Sequence, residues 1–151
     1  MKRYKLVFLT LFLPFVLDRI TKYLALAFDF KDIVLTPFLT FNLEFNRGVS
    51  WSLFHSEEPV TFCVLSTIIL IIIVTLAWYS YNRFKLGQSI YAESLIISGA
   101  ISNFVDRLLY GGVADFIVLH FRQIAWPTFN IADTSIFIGV LILITMSLEN
   151  E

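Results

Sequence analysis

The chain is short of charge and of cysteine, and each shortage excludes something. Only 15% of its 151 residues are charged, whereas a soluble domain carries roughly a quarter. With 58% hydrophobic residues it lacks the polar surface to face water. It therefore reads as an integral membrane protein of one domain, residues 1–151. The single cysteine, Cys63, excludes an intramolecular disulfide and a cysteine-based zinc site. Inside an apolar helix it packs as a small hydrophobe. His55 and His120, the two histidines, lack ligand-like spacing, so no metal is expected. A net charge of −1 points away from nucleic acid as a partner. No internal repeat or low-complexity segment is evident.

What the sequence has instead is long apolar runs. Lys2, Arg3 and Lys5 precede the run Leu6–Leu17, a pattern that looks like a signal peptide, and Ala25-Leu26-Ala27 resembles a cleavage site. Asp18, Arg19 and Lys22 intervene, however, and the apolar pattern resumes to Phe28. Residues 6–28 are about the ~20 residues that a span needs, so a retained first helix is expected, with Pro14 kinking it. Leu39, Phe41, Leu43 and Phe45 then alternate with Thr40, Asn42, Glu44 and Asn46, the period-2 signature of a half-buried strand. Asn46-Arg47-Gly48 ends it. Pro59–Asn82 carries no charge and is the clearest span, taken as 60–82. A third span, 88–109, is interrupted by Glu93, Asp106 and Arg107, and a fourth covers 130–148. The expected architecture is an all-α membrane protein of four helices with a small β-rich cradle between helices one and two.

Four spans put both termini on one side. Lys2, Arg3, Lys5, Arg83 and Lys85 assign that side to the cytoplasm. Trp51 and Trp126 then mark the outer interface, and Trp78, Tyr79 and Tyr81 the inner one, as an aromatic belt does.

Depth organises the acids. At 1.5 Å per residue, Asp18 lies roughly 20 Å beyond Lys5, Asp106 roughly 20 Å beyond Glu93 and Asp133 roughly 24 Å beyond Glu149. All three fall in the outer third of a ~30 Å core. Asp115 returns to the same layer through a Gly111-Gly112 turn. Ionisable groups at membrane depth are a functional site by default. Asp18 and Lys22 are placed as an i,i+4 ion pair, and Asn103 and Asn130 as interhelical hydrogen-bond partners. Gly99, Asn103 and Asp106/Arg107 share a helical face. Two carboxylates held close hold one proton between them, so that one takes a proton from water while the other donates to a carbonyl under attack. Asp115 and Asp133 are the preferred pair, with either as the proton carrier. The rival readings are a small proton-coupled transporter or channel using the acids as a relay, and a non-catalytic assembly factor.

Four motifs carry a resemblance. DRITK at 18–22, NRGVSWS at 46–52, SGAISNFVDR at 98–107 with VADF at 113–116, and FNIAD at 129–133 resemble, in order, those of the lipoprotein signal peptidase (signal peptidase II) family. That resemblance implies an intramembrane aspartyl endopeptidase of the bacterial cytoplasmic membrane. Asp115 and Asp133 would be catalytic, with Asn46, Gly48, Asn103, Asp106, Arg107 and Asn130 lining or supporting the site, and Asp18 and Lys22 supporting its structure. The implied substrate is a prolipoprotein whose cysteine carries diacylglycerol, cleaved just before that cysteine near the outer face. No cofactor is implied; membrane lipid is the surroundings, and a monomer is expected. Ser98, Ser102 and Ala114 depart from the family's glycines and β-branched residue. Serine is small enough to keep the helix contact at Gly99.

Overall fold

A computed structural model describes residues 2–48, 58–122 and 124–148. Among the described residues there are four helices: α1 Lys2–Ala27, α2 Pro59–Lys85, α3 Tyr91–Tyr110 and α4 Ile131–Leu148. Between α1 and α2 lie β1, Ile33–Thr36, and β2, Leu39–Asn46; between α3 and α4 lie β3, Val113–Phe121, and β4, Ile124–Ala125. The strands form one antiparallel sheet in the order β1-β2-β3-β4. All four helices therefore have one end at the sheet, where α1 and α3 finish and α2 and α4 begin.

One expectation is corrected here. The cradle is not confined to the connection between α1 and α2: its second half, β3 and β4, comes from between α3 and α4. The segment after Gly112, which lies between the expected third and fourth spans and carries no strand expectation, is a nine-residue strand. VADFIVLHF is rich in β-branched and aromatic residues, but its apolar positions run together without strict alternation, so periodicity alone does not mark it. The strand expected at 39–46 is β2, and α1 runs unbroken through Pro14. Val49–Ser52 of the second motif, Trp51, His55 and Glu149 lie outside the described residues.

The sheet carries one irregularity that matters for the site. From Phe41 to Glu44 β2 advances three residues while β3 moves two, from Ile117 to Asp115, which is a bulge of one extra residue. Side chains alternate faces along a strand. Thr40 thus stays opposite Val118, while Glu44 and Asn46 are carried to the face of Asp115.

Burial runs opposite to hydrophobicity. On α3 the buried set includes Glu93, Ser94, Ser98, Gly99, Ser102, Asn103, Asp106 and Arg107, while large apolar side chains such as Phe8, Ile71, Trp78, Leu108 and Phe137 point outward. A polar stripe buried within an apolar envelope suits a lipid surround. Pro59–Lys85 and Ile131–Leu148 are each long and apolar enough to cross a membrane. Packing of α3 on α4 depends on missing side chains. A Cβ on Gly99 would sit 2.3 Å from the Ala132 carbonyl oxygen, and one on Gly139 2.7 Å from that of Ala92. Small residues let the two backbones touch, and Ser135 Oγ donates across the seam to the Leu95 carbonyl at 2.8 Å.

Candidate active site

Local chemistry places each acid of the preferred pair. Asn130 precedes α4 and Asp133 is its third residue. Asn130 Oδ1 accepts the Asp133 N–H at 2.8 Å, and Asp133 Oδ2 accepts the Asn130 N–H at 3.3 Å. This reciprocal capping box satisfies donors that the helix start leaves free. Asp115 is placed by the end of α3. Gly111 adopts φ +67° and returns its N–H to the Arg107 carbonyl at 3.2 Å, a left-handed cap that favours glycine. The chain then enters β3, whose third residue is Asp115.

Three asparagines hold the carboxylates. Asn130 Nδ2 donates to Asp115 Oδ1 at 2.6 Å, and also approaches Asn103 Oδ1 at 3.1 Å and the Ala114 carbonyl at 3.4 Å. Asn103 Nδ2 donates to Asp133 Oδ1 at 2.8 Å. Asn46 Nδ2 donates to Asp115 Oδ2 at 3.2 Å, and its Oδ1 accepts the Gly48 N–H at 2.9 Å. The Gly48 bond fixes which end of the Asn46 amide faces the acid. Asn130 thus touches both aspartates, one by its side chain and the other by its cap.

Asp115 and Asp133 line a cavity of about 510 Å³ with Asn46, Asn103 and Arg107. Leu119, Trp126, Phe129 and Phe137 form its apolar wall. Burial pushes the Asp115 carboxyl up to about 7, and the negative charge of Asp133 adds to it; hydrogen bonds from Asn46 and Asn130 and the charge of Lys22 oppose the rise. At neutral pH this group therefore exchanges a proton readily. Arg107 braces the rim, its Nη2 donating to the Gly48 carbonyl at 2.6 Å and its Nη1 reaching the Asn103 carbonyl at 3.4 Å.

The other two acids lie behind this layer. The expected i,i+4 ion pair of Asp18 and Lys22 is present, and it is fully buried, with Asp18 and Asp106 0% exposed and Lys22 1% exposed. Lys22 Nζ stands 2.7 Å from Asp18 Oδ2, from Asp106 Oδ2 and from Asn103 Oδ1. Ser102 Oγ donates to Asp18 Oδ2 at 2.7 Å. Every residue expected to support the site is therefore in this network or braces it. Arg19, which the sequence reading did not assign to the site, pairs with Asp106 Oδ1. Its position beside Asp18 was the available signal. His120 lies elsewhere, with Nε2 3.0 Å from Thr40 Oγ1. Among the described residues no group of three or more potential metal ligands comes together.

In chemical terms, a buried carboxylate, Asp115, and a half-buried one, Asp133, share one asparagine at the wall of a largely apolar cavity, and burial raises the first toward neutrality. Such a site can activate water and protonate an oxygen without a bound ion. Known proteins resemble this chain over most of its length. A lipoprotein signal peptidase of Thermodesulfovibrio yellowstonii is 38% identical over 143 residues, 93% of this chain and 93% of that one. One from Aquifex aeolicus is 41% identical over 134 residues, 86% of this chain and 78% of that one. A bacterial membrane enzyme solved by the in meso method at 1.9 Å resolution superimposes with a TM-score of 0.74 at 32% identity, covering 96% of this chain and 94% of that one. A second, at 2.3 Å, gives 0.76 at 30% identity, covering 95% and 88%. Residues 10–149 match the family described as Signal peptidase (SPase) II, and with those relatives the chain belongs to the signal peptidase II family of proteases.

Proposed function

We propose that this protein is an intramembrane aspartyl endopeptidase that removes the signal peptide from diacylglyceryl-modified prolipoproteins, cutting the bond before the lipidated cysteine. The observation that carries the reading is the shared cavity of Asp115 and Asp133, bridged by Asn130. One aspartate is ionised and takes a proton from water. The other is protonated and donates to the scissile carbonyl oxygen as the water oxygen bonds to its carbon. The tetrahedral species then collapses: one of its hydroxyls returns a proton to the aspartate that donated, the C=O re-forms as the C–N bond breaks, and the departing nitrogen receives the proton taken from water. Asn46 and Asn103 hold the acids in place, and Arg107 braces the turn at Gly48.

The proposed setting is a single domain crossing the bacterial cytoplasmic membrane four times with both termini inside. α1 and α3 carry too many charges to look like spans by composition. Their Asp18, Lys22, Asp106 and Arg107 are buried among helices rather than turned to lipid, which supports counting them as spans. Arg3, Arg83 and Glu93 gather at the ends of the helices away from the sheet, which supports a cytoplasmic assignment for that end and an outer position for the cavity. The apolar wall of Leu119, Trp126 and Phe137 suits a substrate that is itself held in lipid.

The test is cleavage of a diacylated lipobox precursor by the purified protein, beside the same precursor without lipid. Asp115→Asn and Asp133→Asn should each lower kcat by about 10³-fold while remaining folded. Near wild-type cleavage by either folded variant, or equal cleavage of the unlipidated precursor, would overturn the corresponding part of the reading.

A further inference from the structure

Each aspartate of the pair is preceded by an alanine, Ala114 before Asp115 and Ala132 before Asp133. Both alanines are 0% exposed, and both give their backbone N–H to a buried carboxylate. Ala114 N donates to Asp106 Oδ2 at 3.2 Å, and Ala132 N to Asp18 Oδ1 at 2.8 Å. Ala132 is in the first turn of α4, where a backbone N–H has no acceptor within its own helix, so Asp18 of α1 supplies one. The two carboxylates are in turn joined through a single atom, Lys22 Nζ, at 2.7 Å from each. The path from one catalytic residue to the other thus reads Asp115, Ala114 N–H, Asp106, Lys22, Asp18, Ala132 N–H, Asp133.

We propose that Asp18, Lys22 and Asp106 act together as a spacer that sets the separation and orientation of Asp115 and Asp133, with Lys22 as the positioning residue. This goes beyond the proposed peptidase reading and rests on it only for the activity arm of the test. Three features argue for it over simple structural packing. The contacts fall on the two peptide groups adjacent to the acids rather than on arbitrary backbone. The third Lys22 donor goes to Asn103 Oδ1 at 2.7 Å, which turns the Asn103 Nδ2 toward Asp133 Oδ1. Lysine has three donors and no acceptor, and all three are taken by groups of the spacer and the site. An arginine fork could not reproduce that tripod. The cluster is also electrically closed, since Arg19 pairs with Asp106 and the four side chains sum to zero charge.

The test reads two quantities in the full-length protein in detergent. Hydrogen exchange at the Ala114 and Ala132 amides does not depend on any substrate. In Lys22→Met, both amides should exchange at least about tenfold faster, although Lys22 touches neither, while amides in the middle of α2 keep their protection. In the peptidase assay the same variant should lose about 30-fold or more in kcat with KM within about threefold, at a temperature where it is folded. Asp18→Asn keeps an acceptor oxygen for Ala132 N–H but sets an amide NH2 against Lys22 Nζ, so it should lose kcat in part, whereas Asp18→Ala, which removes both contacts, should fall as far as Lys22→Met. Unchanged exchange at both amides in folded Lys22→Met overturns the spacer, whatever happens to kcat. If Lys22→Met does not fold, the Asp18 pair decides: equal kcat in the Asn and Ala variants overturns the proposal, and a gap between them supports it. If the wild type cleaves nothing while the amides respond as expected, the peptidase reading fails and the spacer stands.

Discussion

α3 carries an ionic cluster at each end, and the two are built on different principles. At the end away from the sheet, Glu93 in the first turn of α3 pairs with Arg83 in the last turn of α2. Arg83 Nε also donates to Gln88 Oε1 at 2.7 Å, and Arg3 reaches the Phe84 carbonyl with its guanidinium 4.0 Å over the Phe84 ring. Both charges of the Arg83–Glu93 pair sit where the helix dipoles favour them, acid at a start and base at an end. The pair spans only ten residues and closes one tight connection. At the sheet end, Asp106 is an acid near the finish of a helix, where the dipole opposes it. It is kept there by Arg19, Lys22 and the Ala114 N–H, from α1 and β3. The first cluster follows from local rules and joins neighbours. The second exists only when three helices and a strand meet, and a cavity lies in front of it.

Experiments can separate the two clusters, beginning with the largest effect. Asp115→Asn or Asp133→Asn should cut kcat by about 10³-fold, with no loss of thermal stability. The sign of the stability effect is specific. Because the Asp115 carboxyl is raised from 3.8 to about 7 in the folded protein, its burial becomes costlier as pH rises through that window. Asp115→Asn should therefore unfold at a higher temperature than wild type at pH 8 and at about the same temperature at pH 4. Equal stability differences at both values would contradict it.

A break in the α3–α4 seam comes next, because it removes the platform that the sheet-end cluster needs. Gly99→Val places a side chain where a Cβ already lies 2.3 Å from the Ala132 carbonyl. It should cost about 3 kcal/mol of stability and lower activity with it, as followed by thermal unfolding and peptidase assay together. The cluster at the other end of α3 provides the contrast. Glu93→Gln should cost about 1–2 kcal/mol, moderated because Arg83 is partly exposed to solvent, and should leave kcat unchanged when assayed below the unfolding transition. A loss of kcat there would erase the distinction between the clusters. The smallest effect is a shift in pH dependence. Activity should fall on the alkaline side near pH 7 as the shared proton leaves. Since the Asn46 hydrogen bond lowers the Asp115 carboxyl, Asn46→Ala should move that alkaline limb to higher pH. A limb that stays or moves down would assign it to another group.

Much of this arrangement was legible before any coordinates. The charge-free run at 59–82 announces α2, and alternation at 39–46 announces β2. Asn130 and Asp133 stand three apart at a helix start, although Asn130 reads there as an interhelical hydrogen-bond partner and its capping box appears only in the structure. The depth estimate put Asp18, Asp106, Asp115 and Asp133 at one level, and hydrogen bonds and ion pairs join the four into one network. Other parts were not legible. β3 does not read as a strand because its apolar residues are contiguous, and the bulge that turns Asn46 toward Asp115 leaves no mark in a period-2 pattern. The i,i+4 pair of Asp18 and Lys22 is legible, but its further partners Asp106 and Asn103 are not, since that spacing says nothing about what a third helix will add. Arg19 looks like a charge without a role.

By itself the sequence determined the protein's family, its long apolar helices, the strand and the acids worth watching. Those are properties of composition, of periodicity within one element and of short motifs, all of which a single stretch of chain encodes. Only the tertiary structure decided which acids face the cavity and which stand behind it, and that one lysine links the backbones of both. The reason is physical. Lys22 and Asn103 are 81 residues apart, and Asp18 and Ala132 are 114 apart. No local preference specifies such a partner; it is selected when packing excludes water and each buried charge must find its counterpart or not be buried at all.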